Sequence, residues 1–394
     1  MATRSKKASS KGGGGSSVSK VLKLAKDSGA KIVDYRFPDM PGMWQQIPGW
    51  LVDDNGPLFI KARHFPKALP WLMRFISQSR RSRVLEISRA LTALNGPTFA
   101  AYQPLLEEAD ITGLFHKTGQ LFVYHTRQNM EKDTFTRELR SASGASVEYL
   151  DSKSIQEIEP ALAPIFEAGY LMPDNGHCKD PLGLAQALAQ MFVDKGGRLL
   201  KTEVQDFVFQ TEGITGLLTA SGQLPATKVV VAAGIWSREL CLKLGLRVPL
   251  ESHRGYHATL EEPGVSVQRM CFPVDYKFAV TPMAMGLRIA GTVELAGLEE
   301  PPNYNRARKL VDVSRKLFPG LCTEKYTQWM GHRPCLPDSL PVIGASPRHP
   351  GVYFAFGHGH QGLVGASQTG KVIDELIRGS ELSMALQPFR IDRF

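Results

Sequence analysis

The spacing of apolar and polar residues predicts alternating helices and strands along most of the chain. Apolar residues recur at helical spacing over residues 70–95, 97–110, 181–195, 303–317 and 363–376. Short apolar or alternating runs predict strands over residues 120–124, 198–202, 204–210, 216–219, 228–232, 248–260, 270–280, 287–293, 326–330 and 352–356. Helices interspersed with strands in this way are typical of an α/β protein, here with a mixed sheet and a second, antiparallel layer.

Two of these segments carry additional local signals. Asp180 stands where a helix N-cap is expected and Pro181 at the first helical position, which predicts a helix that begins at Pro181. The run Val229–Val231 has no polar alternation, which predicts a strand that is covered on both faces.

The distribution of charge leaves two interpretations open. The chain carries 47 Lys and Arg against 38 Asp and Glu, a net charge of +9. Residues 1–20 hold five basic residues and no acidic one, and Arg80, Arg81 and Arg83 form a second basic stretch. These stretches are either a solvated tail and helix face or a contact with an anionic membrane surface. No nucleic-acid-binding module accompanies them, so we expect no nucleic-acid partner.

The cysteines predict neither a zinc site nor a disulfide framework, because they are irregularly spaced and form no C-x-x-C. Sparse, unpaired cysteines suit a reducing cytoplasm. The sequence has no apolar stretch long enough to cross a bilayer and no apolar core of a signal peptide near Met1. We therefore expect a cytoplasmic protein with at most peripheral contact with an inner membrane.

The string GHGHQG at residues 357–362 reads as G-x-G-x-x-G between a predicted strand and a predicted helix. That context is the one in which the dinucleotide fingerprint is credible. However, only 32 residues follow Gly362, too few for the rest of a nucleotide-binding half. The string is therefore either a tight turn without a ligand or a turn whose glycines let the backbone approach a cofactor. His358 and His360 have no Cys or carboxylate partner in the pattern, so no metal site is predicted.

Four strings together carry a family resemblance: 228–237 (KVVVAAGIWS), 249–259 (PLESHRGYHAT), 329–344 (WMGHRPCLPDSLPVIG) and 352–362 (VYFAFGHGHQG). In this order they resemble the D-amino acid oxidase/dehydrogenase family of FAD-dependent oxidoreductases, especially its D-amino acid dehydrogenase-like branch. The likeness runs from about residue 43 to the C-terminus. It implies an α/β, or two-domain α+β, fold in which a Rossmann-like FAD-binding domain joins an antiparallel-sheet substrate domain.

The resemblance implies that FAD is the cofactor and that the turn at 357–362 lies under the flavin ring. The helix that follows then directs its N-terminus at the ring, where unpaired N–H groups stabilise negative charge by up to ~2 kcal/mol. The implied cofactor-binding residues are Val204, Ala232, Ala233, Gly234, Trp236, Gly357, His358, Gly359, His360, Gln361 and Gly362. Of these, Val204 is expected to meet the adenine through its backbone.

The resemblance also implies a substrate site around Arg333. Its guanidinium would grip the substrate carboxylate, because the planar fork matches a carboxylate bidentately. Tyr256 is expected to assist, with structural packing as the equal alternative, and Arg254 and His332 complete the expected substrate-binding set. Strand alternation puts Arg254 and Tyr256 on one face and His257 on the other.

The N-terminal region departs from the family pattern. The family begins with a strand–GxGxxG–helix unit that binds the ADP half of FAD, whereas the glycines at 12–15 follow no predicted strand and precede no predicted helix. Residues 21–46 instead resemble the N-terminus of glutamine synthetases, without ligase chemistry of their own. We therefore expect FAD to bind weakly or not at all. Stoichiometric flavin absorbance that survives gel filtration is the result that contradicts this expectation.

The expected organisation follows from these likenesses. It comprises a disordered tail (1–20), the glutamine synthetase-like segment (21–46), a substrate domain (47–175 and 245–330) and a FAD-binding domain that is incomplete at its N-terminus (176–244 and 331–394). The implied reaction is oxidation of a D-amino acid or related small amine to the imine and 2-oxo acid, by hydride transfer to flavin N5. A quinone or other respiratory acceptor would then take the electrons. The alternative is a non-catalytic, truncated or chimeric member that does not retain FAD.

Overall fold

The computed structural model describes residues 58–394. The predicted tail at 1–20, the glutamine synthetase-like segment at 21–46 and the glycines at 12–15 lie outside the described residues.

The helices within residues 58–394 are α1 (Phe65–Ser77), α2 (Arg81–Asn95), α3 (Thr98–Glu108), α4 (Arg127–Lys132), α5 (Thr134–Ala142), α6 (Ser152–Ile158), α7 (Pro181–Asp194), α8 (Ser237–Lys243), α9 (Asn305–Leu317) and α10 (Gly362–Arg378). The strands there are β1 (Leu58–Ile60), β2 (Phe115–His116), β3 (Gln120–Tyr124), β4 (Glu148–Asp151), β5 (Ala168–Met172), β6 (His177–Cys178), β7 (Val204–Gln210), β8 (Gly213–Thr219), β9 (Gly222–Pro225), β10 (Val229–Val231), β11 (Glu251–Leu260), β12 (Met270–Pro273), β13 (Phe278–Met283), β14 (Gly286–Leu295), β15 (Tyr326–Cys335), β16 (Val342–Ala345) and β17 (Val352–Phe356).

A large sheet organises much of the described chain. Its strand order is β15-β11-β14-β13-β12-β3-β5-β4, and β1 pairs with β14 as the ninth strand within residues 58–394. The sheet is mixed rather than purely antiparallel, because β12 runs parallel to β3 and β1 runs parallel to β14. These parallel pairs join segments that are far apart in sequence, which a local hydrophobic pattern does not specify.

Helix α9 covers one face of this sheet at strands β11 and β14. Leu310 and Val311 of the helix join Ala258 and Ile289 of the strands in one buried apolar cluster. Because side chains alternate along a strand, every second residue of β11 points toward α9 and the others point to the opposite face.

A smaller sheet has the order β10-β17-β16. Strand β17 is the central one, and its Val352, Phe354 and Phe356 are buried. Strand β10 is an edge strand within residues 58–394, and Val230 is 37% exposed. The prediction that both faces of this apolar run are covered is therefore wrong for the part of the chain that the structure describes.

Some of the other local predictions are confirmed and some are wrong. Helix α7 begins at Pro181, and Asp180 caps it by accepting from the backbone N–H groups of Leu182 and Gly183, as predicted. The predicted helix at 70–95 is two helices, because Arg80 adopts an extended backbone. The predicted strand at 198–202 does not form. No helix within residues 58–394 combines the length and the apolar run that crossing a membrane requires.

Candidate active site

Two glycine turns meet at one edge of the smaller sheet. Strands β10 and β17 are parallel, so both end at this edge. Gly234 follows β10 with φ +56°, and Gly357 follows β17 with φ +85°. This backbone conformation favours glycine, and a side chain at 357 would also collide with Leu336. Crevices beyond the carboxyl ends of parallel strands are where open α/β sheets bind cofactors.

The turn at 357–362 presents the N-terminus of α10 to this edge. A single 3₁₀ turn, Gly359–Gln361, links the turn to the helix, and no side chain caps the first helical N–H groups. Leu363 and Val364 in the first turn are 38% and 40% exposed. Uncapped N–H groups at an exposed helix N-terminus are suited to hold an anionic group.

The polar side chains of this turn fix it to neighbouring helices. The ring Nε2 of His358 lies 2.9 Å from Oγ1 of Thr369 in α10. Burial lowers the pKa of His358 to about 4, so the ring is neutral near pH 7. The amide oxygen of Gln361 accepts from the side chain of Asn95 at the end of α2. These two contacts hold the backbone of the turn in place.

The predicted cofactor residues after β10 lie open at the same edge. Ala232 and Ala233 are exposed, and Trp236 is 55% exposed with its ring 6.2 Å from that of His332. Strand β15 contacts the 3₁₀ turns Gly234–Trp236 and Gly359–Gln361, which belong to the two glycine turns. Val204 differs, because its register partner is Thr219 in the separate sheet β7-β8-β9. The structure thus brings the groups at 232–236 and 357–362 to one edge and leaves Val204 in another sheet.

Arg333 lies across Gly255 of the neighbouring strand. A Cβ built on Gly255 would lie 1.9 Å from the guanidinium carbon of Arg333, so only glycine leaves room for this side chain. Its Nη1 donates to the carbonyl oxygen of Thr292 at 3.0 Å. Thr292 has φ +63° where the register between β11 and β14 shifts. The irregular backbone there turns a carbonyl toward the guanidinium.

His257 lies on the same sheet face as Arg333. The register pairs His253 with Arg333 and His257 with Trp329, and residues 253, 255 and 257 share one face. The rings of His257 and Trp329 stack with centroids 5.1 Å apart. Burial, reinforced by the charges of Arg288 and Arg333, lowers the pKa of His257 to about 4. His257 is therefore a neutral group beside a guanidinium.

The opposite face of β11 carries Tyr256 and Arg254 in a buried polar cluster. The Tyr256 hydroxyl donates to Glu294 at 2.5 Å and accepts from the backbone N–H of Asn303 at 3.0 Å. Burial and the bond to Glu294 raise the pKa of Tyr256 to about 12. Arg254 is fully buried, with its Nε 3.4 Å from the Glu294 carboxylate. The two bonds of Tyr256 favour a structural role for that residue over the substrate contact expected from sequence. The guanidinium nitrogens of Arg254 have no hydrogen-bond partner within residues 58–394, and its ionic contact there is with Glu294.

His332 also lies on that opposite face, since it pairs with Arg254. Its Nδ1 lies 2.8 Å from the hydroxyl of Ser252. Burial, followed by the charge of Arg254, lowers the pKa of His332. Of the expected substrate-binding set, Arg333 alone is on the face that carries His257.

Sequence reasoning placed His257 on the face opposite Arg254 and Tyr256 but gave it no substrate role, and it gave no role to Gly255, Arg288, Thr292 and Trp329. The glycine between Arg254 and Tyr256 was the available signal, because a glycine inside a strand often marks a close approach by another group. Identifying that group requires the β11–β15 register, which the sequence alone does not supply.

A cluster of two histidines and one cysteine was also not expected from the sequence. The ligand atoms of His253, Cys335 and His360 lie within 4.8 Å of one another. Sequence reasoning considered only His358 and His360, which diverge in the structure because His358 turns toward Thr369. The prediction that the chain binds no metal stays a prediction.

Glycine turns at the carboxyl ends of parallel strands, followed by an uncapped helix N-terminus, are typical of α/β proteins that bind a nucleotide cofactor. The family model "FAD dependent oxidoreductase" (DAO) matches residues 61–376. The chain therefore belongs to the DAO family of FAD-dependent oxidoreductases, which confirms the predicted family and its FAD dependence. The predicted α/β class, with a Rossmann-like FAD-binding part and a second sheet, is confirmed as well.

Named relatives cover most of the chain. A D-amino-acid oxidase from Bradyrhizobium diazoefficiens is 35% identical over 362 residues, 91% of this chain and 86% of that protein. A D-amino acid dehydrogenase from Rhizobium rhizogenes is 26% identical over 370 residues, 90% of this chain and 86% of that protein. The structure of glycine oxidase from Geobacillus kaustophilus covers 75% of this chain and 81% of its own, with a TM-score of 0.65 and 24% identity, and so shows the shared fold.

Proposed function

We propose that this protein oxidises a D-amino acid, or a related small amine, to the corresponding imine. The observation that carries the proposal is the position of Arg333. Its strand β15 contacts both glycine turns, and its guanidinium lies over Gly255 of β11. A guanidinium fork in this position can fix a substrate carboxylate and so orient the neighbouring α-carbon toward the strand edge.

The residues at the sheet edge fit the flavin end of FAD. The first turn of α10 has no side-chain cap, and Ala232, Ala233 and Gly234 are small residues that are at least partly exposed. When bound, FAD supplies the hydride acceptor at its N5 atom. In our proposal the helix N-terminus stabilises negative charge next to the ring, and the neutral His358 adds no charge of its own.

The side chains of the site bind and orient the substrate. Arg333 holds its carboxylate, and His257 stays neutral beside it. Removal of the α-hydrogen with its electron pair from a neutral amine leaves a protonated imine, so no general base has to act in that step. Water then adds to the imine carbon and ammonia leaves, which yields the 2-oxo acid.

For the electron acceptor we propose a quinone or another respiratory carrier. The names of the dehydrogenase relatives support this choice, whereas the 35% identical relative is named an oxidase, which makes oxygen the competing outcome. Membrane contact has less support, because Arg81 and Arg83 each lie against a carboxylate, of Glu138 and Glu86. Comparing dye reduction with peroxide formation under the same conditions separates the two acceptors.

The non-catalytic alternative has less support than the catalytic one. The described residues keep the arginine, the glycine that accommodates it and both turns, and the relatives bear the names of active enzymes. The division into a substrate domain (47–175 and 245–330) and a FAD-binding domain (176–244 and 331–394) is part of this proposal.

Turnover of D-alanine or D-proline with an artificial dye, in protein supplied with FAD, tests the function. Arg333→Lys loses the fork, and we expect kcat/KM to fall about 100-fold, since bonds between charged groups contribute ~1.5–3 kcal/mol each. Arg348→Lys, at an exposed arginine that bonds the Gly245 carbonyl, is the control. Equal rates for the two variants contradict the role of Arg333, and no turnover of any D-amino acid by flavin-loaded protein contradicts the function.

A further inference from the structure

Arg288 is a second cation on the sheet face that carries Arg333. It lies in β14, where it pairs with Thr259 of β11 and Thr281 of β13. Residues 257 and 259 share a face of β11, so Arg288 lies on the same side of the sheet as His257. Its charge and that of Arg333 both act on the His257 ring.

Within residues 58–394, Arg288 forms no salt bridge with an acidic side chain, and burial lowers the pKa of its guanidinium while the charge of Asp180 partly offsets that effect. Its Nε is buried without a hydrogen-bond acceptor, and its Nη2 reaches only the sulfur of Met285 at 3.7 Å. A thioether is a weak acceptor. The Asp180 carboxylate acts on Arg288 only at a distance longer than a salt bridge, and it already accepts two backbone N–H groups as the cap of α7. A partly buried guanidinium that lacks a strong hydrogen-bond acceptor can bind an anionic group.

The spacing of the two arginines suits one short molecule. The Arg333 guanidinium lies at Gly255, and Arg288 is anchored beside Thr259, four residues further along β11. That separation is about 13 Å at ~3.3 Å per residue. Two carboxylates joined by two or three carbon atoms fit between the guanidinium groups, with neutral His257 between them.

We propose that Arg288 binds a second anionic group of the substrate, so that the preferred substrates are acidic D-amino acids. Arg333 takes the α-carboxylate and Arg288 takes the side-chain carboxylate. The oxidation step in this inference rests on the proposed function, whereas the two-arginine anion site does not depend on turnover.

Binding of non-oxidisable acids tests the site separately from catalysis. Calorimetric titration of the FAD-supplied protein with glutarate and with butyrate compares two charges with one. We expect glutarate to bind at least tenfold more tightly. Arg288→Met should remove that preference, whereas Arg308→Met, at an exposed arginine of α9, should keep it. Equal binding of the two acids by the unmodified protein, or an unchanged preference in Arg288→Met, overturns the proposal.

Kinetics then connect the site to substrate choice. The ratio of kcat/KM for D-glutamate to that for D-alanine should fall at least tenfold in Arg288→Met. Arg288→Lys, which keeps the charge but not the fork, should give an intermediate ratio, and thermal melting checks that both variants fold. An unchanged ratio overturns the role of Arg288. If no D-amino acid is oxidised but glutarate binding still depends on Arg288, the proposed function fails and the anion site stands.

Discussion

Replacement of Gly255 by alanine adds one methyl group at the point where Arg333 crosses β11. The new Cβ would lie 1.9 to 2.1 Å from three atoms of the guanidinium. Carbon atoms in contact need about 3.5–4.0 Å, so the guanidinium has to move by roughly 1.5–2 Å. The backbone of Gly255 is not in the left-handed region, so alanine fits the strand itself. The perturbation therefore acts on the position of Arg333.

Displacement of a substrate-positioning group by ~1 Å can cost about 100-fold in rate. We therefore expect kcat/KM of the FAD-supplied Gly255→Ala variant to fall at least about 100-fold, which corresponds to ~2.7 kcal/mol of transition-state stabilisation. The free energy of unfolding should change by less than ~1 kcal/mol, because the displaced atoms are the end of a flexible side chain and alanine restricts the unfolded chain.

Gly331 offers a matched control, because it pairs directly with Gly255. A Cβ on Gly331 would lie 2.0 Å from the indole of Trp329, which is 57% exposed and can swing outward. Gly331→Ala should therefore lose much less activity than Gly255→Ala. Dye-coupled turnover, flavin absorbance and thermal melting on both variants complete the test. A Gly255→Ala enzyme within threefold of the unmodified rate, or equal losses in the two variants, would refute the argument.

Two further predictions concern buried groups. Tyr256→Phe should lower the free energy of unfolding by ~1–3 kcal/mol, since Glu294 and the Asn303 N–H lose a partner, and leave KM within about threefold; a large rise in KM in dye-coupled turnover would return Tyr256 to the substrate site. His257 and His358 have folded pKa values of about 4, below the ordinary 6.5, so their contribution to stability is complete above pH 6.5 and is lost as pH falls toward 4. Chemical denaturation at pH 7 and pH 4.5 should differ by ~1–3 kcal/mol more in the unmodified protein than in His358→Gln, and equal differences would show that His358 is protonated in the folded state.

The parts of the site that the sequence predicted are those with a local cause. Gly357 and Gly359 follow an apolar strand and precede a helical pattern, and positive φ values occur at both. Asp180 and Pro181 start a helix for reasons confined to its first turn. Signals of this kind need no knowledge of the rest of the fold.

The face of β11 on which Arg333 lies could not be predicted from nearby residues. The alternation that separates His257 from Arg254 and Tyr256 was predicted, but which face Arg333 joins depends on its pairing with residue 253, far away in sequence. A shift of one residue in that register would exchange the faces. For the same reason, the exposure of Val230 depends on what lies beside β10 and not on the apolar run itself.

The alternating character of β11 has a consequence for variation. In a saturation library of residues 253–258, substitutions at the even positions would reach the α9 side and reduce the yield of folded protein. Substitutions at 255 and 257 would leave folded protein that differs in turnover or substrate choice, whereas those at 253 would also disturb its buried packing against Trp71. Alternate residues of this ten-residue strand thus affect the amount of folded enzyme and the specificity of the enzyme. Selection for one property can therefore proceed with little change in the other.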